Sequence, residues 1–135
     1  MAGLANTAWP KAMHDNRNTC RTSVKTDPAG ASVKWVYDIL AGENFYGSGC
    51  VVREDGSIVV GSEGSIYCLD PGDIAPGHLW WRYPIPGGGW CFNVPSILDG
   101  DHIVFGDDYG RLRSIDNPTT ENWVVAPPAW AIWGG

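Results

Sequence analysis

Basic residues are scarce in this chain. Nine Lys and Arg stand against 15 Asp and Glu, giving a formal net charge of −6. Nucleic acid is therefore not an expected partner, because phosphate backbones are gripped by clustered cations. No apolar run reaches the roughly 18 residues that a membrane-spanning helix needs. Met1 to Pro10 lacks both a basic start and a sustained apolar core, so no signal peptide is expected there. No stretch keeps apolar residues at helical spacing free of Gly and Pro, so no helix is expected either. The four cysteines, Cys20, Cys50, Cys68 and Cys91, never fall at C-x-x-C spacing, which removes the usual zinc and redox motifs. They read as small buried hydrophobes. A disulfide stays open for an exported protein, with no connectivity favoured.

What the chain does hold is turn-formers and aromatics. It has 18 Gly, 10 Pro and eight Trp in 135 residues, with 44% hydrophobic residues. That is enough apolar material for a core and too much for a disordered chain. The organising stretch is Gly61-Ser62-Glu63-Gly64-Ser65-Ile66-Tyr67-Cys68-Leu69-Asp70, a turn running into a strand that ends on an aspartate. Asp55-Gly56-Ser57-Ile58-Val59-Val60 precedes it and Trp81-Arg82-Tyr83 follows. The pattern then returns as Asp99-Gly100, His102 to Gly106, Tyr109 to Asp116 and Trp123-Val124-Val125. Trp35 to Trp81 is a step of 46, Gly61 to Gly106 of 45, Asp70 to Asp116 of 46 and Trp81 to Trp123 of 42. A period of roughly 40–50 residues is the mark of propeller or solenoid repeats.

Read in order, residues 1–31 form an irregular segment pinned by Trp9. Residues 32–83 hold a first strand at Ser32–Tyr37, where apolar and polar positions alternate, and then a full blade. Its strands fall at Gly47–Arg53, Ile58–Val60, Ser65–Leu69 and Leu79–Tyr83. Residues 84–125 hold a second blade with strands at Phe92–Leu98, His102–Phe105, Arg111–Ile115 and Glu121–Val125. Residues 126–135 form a tail or the start of a further blade. The expected fold is all-β, with about two four-stranded antiparallel propeller-type blades and an incomplete ring, since propellers close with four to eight.

The block Ile58 to Asp70 followed by Trp81-Arg82-Tyr83 resembles the repeat of PQQ-like (quinoprotein-dehydrogenase-like) β-propellers. The opening Trp9-Pro10-Lys11-Ala12-Met13-His14-Asp15-Asn16-Arg17-Asn18-Thr19 looks like the segment that precedes the first blade of such proteins. The resemblance covers about Trp9 to Trp123. It implies a cell-envelope or extracellular setting. It does not carry the dehydrogenase chemistry: those enzymes hold an adjacent Cys-Cys pair beneath the quinone, and no two cysteines here are neighbours.

Other chemistry reads as weak. Asp99, Asp101, Asp107 and Asp108 could collect a calcium ion, but they lack the spacing of a cation loop, and aspartates at hairpin turns explain them. His14, His78 and His102 are scattered. No catalytic, cofactor-binding or metal residue is assigned, and no cofactor is expected. Gly87-Gly88-Gly89 reads as slack between blades, with Trp80, Trp81, Trp90 and Phe92 around it. Trp90 and Phe92 are candidates for stacking on a ligand ring, against the simpler reading of packing between blades. Two blades with apolar faces are too few to satisfy themselves. The expected function is therefore a non-enzymatic structural or interaction module that self-assembles into a homo-oligomer or larger assembly. Trp9, Trp130 and Trp133 are the interface candidates, with packing inside the chain as their alternative role. The alternatives in function are a carbohydrate- or ligand-binding propeller and, behind it, a fragment of a quinoprotein-like enzyme.

Overall fold

The computed structural model describes residues 32–45, 49–72 and 75–126. Trp9, Trp130, Trp133, Cys20 and His14 lie outside these residues, as do the opening segment and nearly all of the tail.

Among the described residues, eight strands form two four-stranded antiparallel sheets, each in simple sequential order. The first sheet comprises β1 (Cys50–Val52), β2 (Ile58–Gly61), β3 (Ser65–Leu69) and β4 (Leu79–Pro84). The second comprises β5 (Ser96–Leu98), β6 (His102–Gly106), β7 (Leu112–Asn117) and β8 (Thr120–Val125). The described residues are all-β, two blade-like sheets that do not close into a barrel or ring. A single 3-10 turn, Pro76–His78, is the only helical element among the described residues.

The turn chemistry explains the meander. Asp55 Oδ1 accepts hydrogen bonds from the Ser57 amide and hydroxyl at 2.8 and 2.6 Å, while Gly56 takes φ +87°, a conformation that glycine reaches without a Cβ clash. The equivalent turn of the second sheet has Gly100 at φ +82°. Both repeats also break register at the same point. The shift falls between Cys68 and Leu69 in the β3–β4 pairing and at Ser114 and Ile115 in the β7–β8 pairing.

Side chains alternate across each pleat. One face of the first sheet presents Val51, Val59, Ile66, Cys68 and Tyr83. It meets Ile97, Ile103, Phe105 and Ile115 of the second, with Ile85 and Cys91 from the connection filling the seam. These residues form one continuous core between the sheets, with Trp81 and Val94 packed at its margin. The back of the first sheet carries Val60, Tyr67 and Leu69, and Trp35, Tyr37, Ile39, Ile58 and Leu79 pack there.

Several expectations need correction. Ser32–Tyr37 does not join a sheet: residues 32–40 fall in no strand, although their burial alternates. The segment is a strap laid side chains down across the back of the first sheet. Alternation reports which side is covered, and a ladder is a separate requirement. The strand expected at Phe92–Leu98 shortens to Ser96–Leu98. Pro95 cannot donate to a ladder, and the Cys91 amide is already committed to the Ser62 carbonyl at 3.0 Å. The strand expected at Gly47–Arg53 is Cys50–Val52. Cys68 and Cys91 are buried as expected, but Cys50 is exposed. It sits one residue before Val51 on a strand only three residues long, and the pleat turns it away from the core.

Candidate functional site

Two regions combine unusual polarity or exposure with defined geometry. The first is the corner where the connection 85–95 enters the second sheet. Gly87 and Gly88 take positive φ and carry the chain into Gly89, which is buried. A Cβ on Gly89 would lie 2.8 Å from Arg111 Nη2 and 3.2 Å from Asp107. Gly89 is thus a close approach and not slack, while a Cβ on Gly88 would meet nothing within 4 Å. Trp90 is then fixed on both sides of its peptide: its amide donates to Asp108 Oδ1 at 2.8 Å, and its carbonyl accepts from the Asp108 amide at 3.0 Å. The indole meets the Phe92 ring edge to face, with centroids 5.4 Å apart. Trp90 is 44% exposed and Phe92 43%. Tyr109 stands exposed nearby in sequence, its ring under the Arg111 guanidinium at 4.7 Å.

Beneath that corner lies an ionic network between the sheets. The Asp107 carboxylate is fully buried and accepts from Arg111 Nε at 2.7 Å and Arg113 Nε at 3.3 Å. It also caps its own turn, accepting from the amides of Tyr109 and Arg111. Arg113 reaches on to Glu121 at 2.5 Å, and Tyr83 of the first sheet donates its hydroxyl to the same carboxylate at 2.5 Å. Burial, and then this bond, push the Tyr83 phenol up to about 12. The Tyr83 and Arg113 bonds hold Glu121 below its ordinary value. A second bond between the sheets joins Arg53 to Asp101 at 2.5 Å.

The second region is the back of the first sheet, where Glu43 pins the strap. Its carboxylate accepts from Ser62 Oγ at 2.5 Å, Ser65 Oγ at 3.0 Å, Tyr67 Oη at 3.0 Å and Arg82. Burial alone would raise the Glu43 carboxyl, but these four bonds outweigh it and hold it low. Tyr67 is pushed up to about 12 by burial and by its bond to Glu43.

The aspartates singled out from sequence are mostly engaged elsewhere: Asp107 with two arginines, Asp101 with Arg53 and Asp108 with Trp90. No group of three or more His, Cys, Asp or Glu is placed to hold a metal ion among the described residues. His78 caps the Asp70 carbonyl at 3.0 Å and stacks on Trp35 with centroids 4.5 Å apart. His102 pairs with Asp116 at 2.5 Å on the second sheet, and Asn122 bonds both Asp116 and the buried Ser114 hydroxyl. Of the four aromatics expected to cluster, Trp90 and Phe92 do meet, whereas Trp81 packs against the core and Trp80 is partly exposed.

Glu43, Glu121, Arg113 and Arg53 were not legible as site residues. One signal did exist. The Glu63 amide donates to Asn44 and the Asp108 amide to Trp90, at 3.1 and 3.0 Å. These are the same bond one repeat apart, so the Trp35-to-Trp81 step places the strap opposite β4 in the repeat. The arrangement offers an exposed aromatic platform and uncovered sheet surface, and its buried charges are paired with one another. No family model matches this chain, and no curated protein matches it.

Proposed function

We propose that this chain is a non-enzymatic interaction module of PQQ-like propeller blades that completes its packing by self-assembly. One observation carries the reading: equivalent positions of the two repeats have opposite exposure. Ile66 and Tyr83 are buried between the sheets, with Trp81 packed at their margin. Their counterparts on the second sheet are Leu112, Val125 and Trp123. Leu112 is 44% exposed, Trp123 41% and Val125 59%. Leu112 pairs with Val125 and Ser114 with Trp123 across β7 and β8, so the apolar side chains form one patch. Contiguous exposed apolar surface of this kind marks interaction sites.

The test is molar mass by size-exclusion chromatography with light scattering across a concentration series. A defined oligomer is expected. A monomer at every concentration overturns the proposal.

A second reading has its own observation. The exposed Trp90–Phe92 pair, with Asp108 beside it, has the form of a stacking platform with a polar edge, which suits a carbohydrate ring. Glycan-array binding that disappears in Trp90→Ala would favour this reading; an array with no bound glycan would remove it.

A further inference from the structure

The layers of this molecule run in a fixed order: strap, first sheet, second sheet. The core between the sheets joins the front of the first to the back of the second. Arg113 and Ile115 of the second sheet occupy the repeat positions of Tyr67 and Leu69, which the strap covers in the first sheet. Packing is therefore front to back throughout, with the strap standing where a preceding blade would place its β4. Among the described residues, two surfaces remain, one at each end of the stack. The front of the second sheet exposes Leu112, Trp123 and Val125. The outer side of the strap exposes Val36, at 73%, and Leu40, with Lys34 and Asp38 exposed on the same side.

We propose that these two surfaces are each other's partners in separate copies: the strap of one chain docks on the front of the second sheet of the next. The proposal rests on the self-assembly reading and names its surfaces. The occupant follows from the established interface, because a β4-like element against a sheet front continues the front-to-back order already built inside the chain. Each docking surface has an apolar centre with polar or charged neighbours. Val36 lies between Lys34 and Asp38, and the Leu112–Val125 patch lies on the same face as the paired His102, Asp116 and Asn122. Such an apolar centre with a polar rim is the usual anatomy of an interface. The contact is heterologous, joining two different surfaces, so it propagates into a ring or a filament.

The experiment uses the full chain with Val36→Glu and Leu112→Glu, both at exposed positions. Far-ultraviolet circular dichroism verifies folding, and Val36→Lys and Val125→Glu serve as second variants of each surface. Wild type is expected to be oligomeric by light scattering, and each variant alone monomeric. An equimolar mixture of the two is expected to give a dimer, because one intact strap meets one intact sheet front. A wild-type monomer would overturn self-assembly itself. An oligomer that survives both variants would leave self-assembly standing and overturn these surfaces. Association of Val36→Glu with itself would mean that sheet fronts pair with each other, and would overturn the strap as partner.

Discussion

At the scale of single residues, the seam between the sheets is intolerant of added volume and of lost charge. Gly61 faces Cys91 across it. A Cβ there would stand 2.6 Å from the Cys91 sulfur and 3.2 Å from its carbonyl oxygen, and the carbonyl cannot swing aside. Gly61→Ala is expected to cost about 1–3 kcal/mol in urea unfolding, as overpacking of cores does. Asp107 is the opposite case. Its side chain is fully buried and the Arg113 side chain 5% exposed. Asp107→Ala would leave two guanidinium groups without their shared carboxylate, an expected loss of roughly 3–5 kcal/mol by the same measurement. Glu43 and Glu121 both have folded values lowered from 4.5. Their contribution is complete above that value and fades as pH falls through the lower folded values. Tyr67 and Tyr83 are raised from 10.0 to about 12, so their contribution is complete below pH 10 and fades between pH 10 and 12. Acid and alkaline unfolding monitored by tryptophan fluorescence should flatten on the acid side in Glu43→Gln and on the alkaline side in Tyr67→Phe.

At the scale of elements, most of the strand plan was legible. Asp55-Gly56 and Asp99-Gly100 are local turn signals, and β-branched runs between turns can be little else. The shortened β5 was not legible, because Phe92 to Val94 looks like strand but lies between the Cys91 amide, which is bonded to Ser62 of the preceding repeat, and Pro95, which has no amide to give a ladder. The strap was half legible. Trp35, Tyr37 and Ile39 carry the period-two signal of a strand and do bury that side, but pairing depends on a neighbour that the local sequence cannot reveal. The Glu43 cluster was hidden for the same reason: its partners, Ser62, Ser65, Tyr67 and Arg82, lie 19 to 39 residues away. Among the described residues no ladder ties residues 32–40 to the sheet, and side chains hold them there, Trp35 Nε1 donating to the Pro71 carbonyl at 3.2 Å. Amides of residues 32–40 are expected to exchange with deuterium far faster than those of β3, where strands pair on both sides; equal protection would show the strap to be an integral strand.

For the whole molecule, the exposed patch on the second sheet should make stability depend on concentration. Association that buries Leu112, Trp123 and Val125 in the folded state alone raises the melting temperature as protein is added. Wild type is expected to show this in calorimetry, and Leu112→Glu to melt at one temperature throughout a dilution series. The oligomeric reading was visible in the sequence only as an argument from too few blades; which face is bare required the register. The same layered order gives the molecule a built-in clock. Cys68 and Cys91 sit inside the seam, with the Cys91 thiol pushed up to about 11 chiefly by burial, while Cys50 lies in the open. A maleimide or disulfide reagent would mark Cys50 at once, and would reach Cys68 and Cys91 only in the moments when the sheets part.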